Sequence, residues 1–329
     1  MVEKISNPLF KNLIQVGMVV SDLQISMQKY VFDYGIGPMY VVEFNPGNVS
    51  DMYLYGKKQK YSMNMGVCPI GDVRFEIIEP VSRSIYSDYI EKYGQGIIHH
   101  LKLGVENYWK SIDYLESLGV EIMQSGHQLG VRGKNMYTYM NTQSTLGFIV
   151  ELVNVEKDFI KPEPDCWFPQ DKQYVCKPIF KRPIQVGVVV KDLGLKIKQL
   201  EDLFGLSPWK IKEFSSRNTT GMHIYGKKKS YATRAGFYVL GNIRLELIEP
   251  LTESIFSDFF ERYGEGVIHH VSMEIENYHD VLNYLKSINV KIIQSGCYQD
   301  RIKYSYLATD SGMNFVTEII EDNIFLSDV

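Results

Sequence analysis

The chain repeats itself at a fixed spacing, and that constrains its fold more than any other feature. Ile14-Gln15-Val16-Gly17 returns as Ile184-Gln185-Val186-Gly187, 170 residues later. Phe75-Glu76-Ile77-Ile78-Glu79-Pro80 returns as Leu245-Glu246-Leu247-Ile248-Glu249-Pro250, and Gly96-Ile97-Ile98-His99-His100 as Gly266-Val267-Ile268-His269-His270, at the same offset. Near the end the spacing falls to 167, where Phe148-Ile149-Val150-Glu151 answers Phe315-Val316-Thr317-Glu318. A three-residue deletion between His127 and Tyr304 accounts for the change. Solenoid units run to about 20–50 residues, so a period this long is a duplicated domain. The reading is a first domain over 11–155, a linker over 156–181 and a second domain over 182–322.

At 329 residues each copy can bury a core of its own. The formal charge is −4 and no strongly basic stretch occurs, which argues against a nucleic-acid partner. Residues 1–10 lack the apolar centre of a signal peptide, and no window nears the ~18 apolar residues of a membrane span. Cys68, Cys166, Cys176 and Cys297 form no C-x-x-C pair, which suits a reducing cytoplasm. In the linker, Pro162, Pro164, Pro169 and Pro178 exclude a long helix or a central strand. Its Phe159, Trp167, Phe168 and Tyr174 predict that it packs along a domain. The 23 tyrosines read first as core and rim packing.

Within each copy a finer rhythm appears. Residues 13–20 form an apolar strand run, Ser21-Asp22 marks a helix start, and 23–32 follow helical spacing. Gly35-Ile36-Gly37-Pro38 ends that helix, and strand-like runs follow at 39–44, at 52–55 with 62–67, and at 73–79. A short amphipathic helix over 85–93 leads to a second round. There a strand at 100–105 and a helix at 108–118 precede strands near 121–124, 136–141 and 148–153. Each round reads strand–helix–three strands, so the chain holds four such units and is of the α+β class.

Four polar residues interrupt these apolar strands: Gln15, Glu76, His100 and Glu151. Taken singly, each could be an outward-facing strand residue, since strand side chains alternate. All four recur as Gln185, Glu246, His270 and Glu318, however. A carboxylate buried in such a strand is costly unless it is paired or binds a metal. One imidazole, two carboxylates and an amide oxygen suit a divalent ion of the Zn, Ni, Co, Mn or Fe type, with positions left open for water or substrate. Adjacent strand residues face opposite ways. Aligning the unit starts selects His100 and His270 as ligands and leaves His99 and His269 as sheet-to-helix packing.

On these residues the chain resembles the vicinal oxygen chelate superfamily, which includes glyoxalase I, methylmalonyl-CoA epimerase and extradiol dioxygenases. The Gly-x-Ile-His-His strand, the Glu-Pro-ended strand and Asn141-Thr142-Gln143-Ser144-Thr145-Leu146-Gly147 look most like the epimerase branch. The resemblance implies paired βαβββ modules, each pair a curled mixed sheet around a metal-binding cup. It maps the ligands to Gln15, Glu76, His100 and Glu151, and to Gln185, Glu246, His270 and Glu318. Glutamine at the first position is similar to eukaryotic glyoxalase I, where the epimerases carry histidine. The epimerase base falls in a stretch that here reads Met52-Tyr53-Leu54-Tyr55 and Met222-His223-Ile224-Tyr225, without a carboxylate.

The implied function is a metal-dependent isomerase, epimerase or lyase that abstracts a proton next to a carbonyl. Glu151 or Glu318 would be the base, His223 a second acid/base in the second domain, and Tyr53 a hydrogen-bonding group in the first. An iron-dependent extradiol or hydroxyphenylpyruvate-type dioxygenase is the alternative, and a non-catalytic small-molecule binding protein the third reading. The partner is a small carbonyl compound, apolar or aromatic, taken up by a monomer or homodimer. The lysine runs after Gly56 and Gly226 read as solvated hairpin tips. Arg83 and Arg132 have no counterparts at the 170 offset, where Glu253 and Ile302 stand, so the two sites need not share substrate contacts.

Overall fold

The computed structural model describes residues 7–171 and 178–321. Tyr174 and Cys176 of the linker, Asp322 at the expected end of the second copy, and the first six residues lie outside the described residues. The first unit runs β1 (Phe10–Val19), α1 (Leu23–Tyr34), β2 (Met39–Phe44), β3 (Val49–Leu54), β4 (Lys57–Lys58), β5 (Met63–Ile70) and β6 (Val73–Pro80). Helix α2 (Ile85–Tyr93) leads to β7 (Ile98–Val105), α3 (Tyr108–Ser117), β8 (Ile122–Leu129), β9 (Lys134–Met140), α4 (Gln143–Leu146) and β10 (Ile149–Val155).

The linker contributes one short strand, β11 (Cys166–Phe168). The third unit is β12 (Pro183–Val189), α5 (Leu193–Phe204), β13 (Lys210–Phe214), β14 (Thr219–Ile224), β15 (Lys227–Lys228), β16 (Thr233–Leu240) and β17 (Ile243–Pro250). After α6 (Ile255–Tyr263) come β18 (Ile268–Met273), α7 (Tyr278–Ser287), β19 (Ile292–Tyr298), β20 (Ile302–Leu307), α8 (Asp310–Met313) and β21 (Val316–Ile320). The three-residue deletion falls in the β19–β20 hairpin, whose turn and strands are shorter than those of β8–β9.

Local chemistry sets these boundaries. The Asp22 carboxylate accepts the Ile25 amide at the start of α1, and Gly35 at φ 66° ends it. Asp192 and Gly205 do the same for α5. Helices α2 and α6 each open with a reciprocal cap, Ser84 with Ser87 and Ser254 with Ser257. Tyr55 and Gly56 both take positive φ and fold the chain sharply back between β3 and β4.

Backbone pairing orders the first half as β11-β2-β5-β6-β1-β7-β10-β9-β8-β3-β4. The second half repeats it as β13-β16-β17-β12-β18-β21-β20-β19-β14-β15. Only residues 45–48 join β2, near one margin, to β3, near the other. Four residues reach roughly 14 Å at most, so the sheet must curl into a cup. This corrects the reading of 52–55 and 62–67 as one strand: 52–54 lie in β3, which crosses over to pair with β8, and Tyr55 begins the turn that follows. Among the described residues strand β11 pairs only with β2, at a sheet margin where neighbouring prolines are tolerated.

Alternation along the strands separates two environments. Convex-face residues such as Val16, Met18, Phe75 and Leu101 join Val186, Val188 and Phe315 of the other half in one apolar cluster. Each concave face has its own smaller cluster, around Met63, Met65 and Tyr137 in the first half and Met222, Tyr304 and Tyr306 in the second. The polar residues singled out in the sequence lie on these concave faces.

Candidate metal centres

Strand register assembles each site as two rows. In the first half, β1 places Gln15 opposite Arg74 of β6 and Lys102 of β7, and Lys102 lies opposite Glu151 of β10. The next row holds Glu76, Gly17, His100 and Ile149. The second half gives Arg244, Gln185, Ser272 and Glu318 in one row, then Glu246, Gly187, His270 and Val316. Neighbours across a ladder share a face, so every expected ligand points into its cup.

The glycine in the second row has a definite task. A Cβ built on Gly17 would lie 1.9 Å from Cε1 of His100, and one on Gly187 would lie 1.9 Å from Cε1 of His270. Each imidazole lies flat across the neighbouring strand because that strand carries no side chain there. This lets its Nε2 reach the carboxylates: 3.2 Å to Glu151 and 3.8 Å to Glu76 in the first cup, 3.3 Å to Glu246 and 3.4 Å to Glu318 in the second.

All eight ligand candidates are buried, none more than 6% exposed. Glu76, His100 and Glu151 offer ligand atoms within 4.8 Å of one another, and so do Glu246, His270 and Glu318. Nε2 of His100 and Nε2 of His270 are buried without a hydrogen-bond partner. A ring nitrogen and two carboxylates enclosed this way require positive charge among or beside them, from a proton, a metal ion or a neighbouring basic side chain. Burial pulls the His270 pKa down, yet the close carboxylates of Glu246 and Glu318 outweigh it and raise it to about 9. The carboxylates of each pair diverge. Burial holds Glu76 and Glu246 above the usual range. Burial also acts on Glu151 and Glu318, but Lys102 and His100 for the former, and His270 for the latter, bring them below it.

His99 and His269 pack on helices, as expected: His99 against Tyr86 and Tyr89, at 5.1 and 4.7 Å between ring centres, and His269 against Phe256 and Phe259, at 4.9 and 4.8 Å. Strict alternation does not hold here, because a register shift in each ladder leaves the two rings of a pair together, against Tyr139 or Tyr306. They also touch the ligands, with Nδ1 to Nδ1 distances of 3.0 Å in both pairs. If Nδ1 of His270 donates to His269, the lone pair at Nε2 is left to face the carboxylates, the tautomer a metal ligand needs.

The two cups differ in their own cations. In the first, Nζ of Lys102 lies 3.1 Å from Glu151 and donates to Oε1 of Gln15 at 3.2 Å. In the second, Ser272 replaces the lysine and its hydroxyl donates to Glu318. There Nε of Arg244 donates to Oε1 of Gln185 at 2.5 Å, and Nε2 of Gln185 donates to Glu246 at 2.7 Å and Glu318 at 3.2 Å. Arg244 is buried and its guanidinium lies 5.0 Å over Phe237, whereas Arg74 is exposed. The free volume differs accordingly, about 270 Å³ in the first cup and about 30 Å³ in the second. Lys102 and Arg244 were missed as site residues. The signal was present, for a lysine two residues after His100 shares its face, and the repeat puts serine there.

The donor set of the second cup fits a divalent ion through His270, Glu246 and Glu318, with Gln185 able to join once its amide turns its oxygen inward. The first cup offers the same donors with an ammonium among them. Tyr53 and His223 are not brought to either cup. They fall between Met52 and Leu54 and between Met222 and Ile224, which point inward, so alternation turns both outward. Nδ1 of His223 contacts the Gly221 carbonyl of its own strand, and Tyr53 is 38% exposed. The lysines of β4 and β15 are exposed hairpin residues, as expected. Arg83 lies 3.9 Å from Asp88 at the surface, and Arg132 bridges to Ile160 of the linker. Among the described residues no helix is long and apolar enough to cross a membrane.

Comparison with known proteins agrees with this architecture. Residues 184–306 match the family model described as Glyoxalase/Bleomycin resistance protein/Dioxygenase superfamily. No curated protein matches by sequence. Among solved structures, a mutant of 4-hydroxymandelate synthase from Streptomyces coelicolor is similar over 96% of this chain and 94% of its own, with TM-score 0.58 and 16% identity. A xylose isomerase-like TIM barrel/4-hydroxyphenylpyruvate dioxygenase fusion protein is similar over 97% of this chain and 49% of its own, with TM-score 0.51 and 12% identity. Methylmalonyl-CoA epimerase from Mycobacterium tuberculosis covers 47% of this chain and 97% of its own, with TM-score 0.33 and 15% identity. Residues 184–306 thus carry the sequence match to this superfamily's model, the first half repeats their motifs and strand order, and the full-length likeness extends over the fold.

Proposed function

We propose that this chain is a metal-dependent enzyme that moves a proton next to the carbonyl group of a small molecule. The observation that carries the proposal is the convergence of one imidazole and two carboxylates on a buried point in each cup. A divalent ion held by Glu246, His270 and Glu318, or by Glu76, His100 and Glu151, would supply Lewis acidity to a carbonyl oxygen. The chain's own groups provide the proton transfer. Glu318 and Glu151, held below the usual carboxylate range, are ionised at neutral pH and can accept a proton. Burial raises Glu246 and Glu76 above the usual carboxylate range, so each cup pairs a raised carboxyl with a lowered one. Phe214, Phe237, Phe256 and Tyr304 line the second cup, an apolar wall that suits an apolar or aromatic substrate.

The test is exchange of solvent deuterium into the carbon next to the carbonyl, followed by NMR across a set of 2-oxo and 2-hydroxycarbonyl compounds. Exchange that stops on chelation and returns with added metal supports the proposal. Exchange indifferent to chelation, or absent throughout the set, contradicts it. The full-length likeness to 4-hydroxymandelate synthase favours a second reading, an iron-dependent oxygenase. Against it stands the donor set, because non-haem iron oxygenases use two imidazoles and one carboxylate and each cup here has one imidazole among its ligands. Oxygen consumption with 4-hydroxyphenylpyruvate or a catechol separates the two.

A further inference from the structure

We infer that Lys102 is the built-in cation of the first cup and keeps metal out of it, so that the chain takes up one divalent ion, in the second cup. The inference rests on the metal reading proposed above and refines it. Three observations carry it. Register places Lys102 between Gln15 and Glu151, in the same row as two of the four ligand candidates. Its ammonium contacts both of them, at 3.2 Å and 3.1 Å, and the residue is only 8% exposed. In the second cup the same ladder position is Ser272, which brings a hydroxyl and no charge.

Electrostatics gives the direction. A carboxylate pair buried in an apolar cup needs positive charge nearby. In the first cup the lysine delivers that charge through a covalent tether, at the atoms an incoming ion would need. A divalent ion bound there would meet a like charge at close range in a medium that screens poorly. In the second cup the nearest fixed cation, Arg244, donates to the far side of the Gln185 amide. Glu246, His270 and Glu318 are left facing one another. Duplication therefore left two copies of one ligand set, and a single serine-to-lysine difference separates their occupancy.

The experiment is equilibrium dialysis of the full chain against zinc, with nickel and manganese in parallel, followed by measurement of metal per chain. The expected result is about one ion per wild-type chain. His270→Ala should remove it and His100→Ala should leave it. Lys102→Ser should raise uptake towards two, and the reciprocal Ser272→Lys should abolish it while circular dichroism stays unchanged. Two ions in the wild-type chain, or loss of the ion in His100→Ala with retention in His270→Ala, overturns the inference and leaves the metal reading standing. No ion in any variant overturns both. Should Lys102→Ser fail to fold, the wild-type stoichiometry and the two histidine variants decide the matter alone.

Discussion

At the scale of single residues, the geometry of each site turns on what is absent at two positions. Gly17 and Gly187 lack the Cβ that would collide with the imidazoles of His100 and His270. Gly187→Ala should therefore push His270 away from Glu246 and Glu318, weakening zinc binding roughly 10–100-fold. Overpacking should also cost about 1–3 kcal/mol of stability, and calorimetric titration with thermal unfolding measures both. Undiminished affinity would show that the ring does not depend on the bare strand. His269→Phe retains the ring between Phe256 and Phe259 but removes the Nδ1 contact, so zinc affinity should fall roughly tenfold with little change in melting temperature. Equal loss of both would mean that His269 only packs. The eight ligand candidates were legible because each breaks an apolar strand and each recurs. Lys102 was harder to see because it does not recur. Tyr53 and His223 were misplaced because a family position was carried over without asking which way an alternating strand turns them.

The elements themselves were largely legible, since helix and strand periods differ and the caps are explicit. Asp22, Asp192, Ser84 and Ser254 all stand where their helices begin. What sequence periodicity could not show was partnership between strands. Residues 52–54 read as strand and are strand, yet they pair across the cup with β8, a choice made by the tight turn at Tyr55 and Gly56 and by closure of the sheet. The reciprocal caps of α2 and α6 hold each helix against its histidine. Ser254→Ala should lower stability by about 1 kcal/mol, seen as a fall in melting temperature, without changing metal stoichiometry. A change in stoichiometry with unaltered stability would mean that the cap serves the site and not the helix.

At the scale of the whole molecule, the two cups stand on one shared core. Phe75 of the first half packs edge-on against Phe315 of the second at 5.7 Å, the Tyr30 hydroxyl donates to the Met313 carbonyl, and β7 bridges to β18 at Ile98 and Ile268. Halves joined through convex faces should unfold together, as one calorimetric transition with equal calorimetric and van't Hoff enthalpies. Two resolved transitions would show that each half is stable alone. Both cups depend on the point where the candidate ligand side chains meet, and X-ray absorption spectroscopy of the zinc-loaded protein reads out the donors there. One imidazole, with the remaining donors light oxygen or nitrogen atoms and no sulfur, is the expected result. Two or more imidazoles, or any thiolate, in the first shell would contradict it.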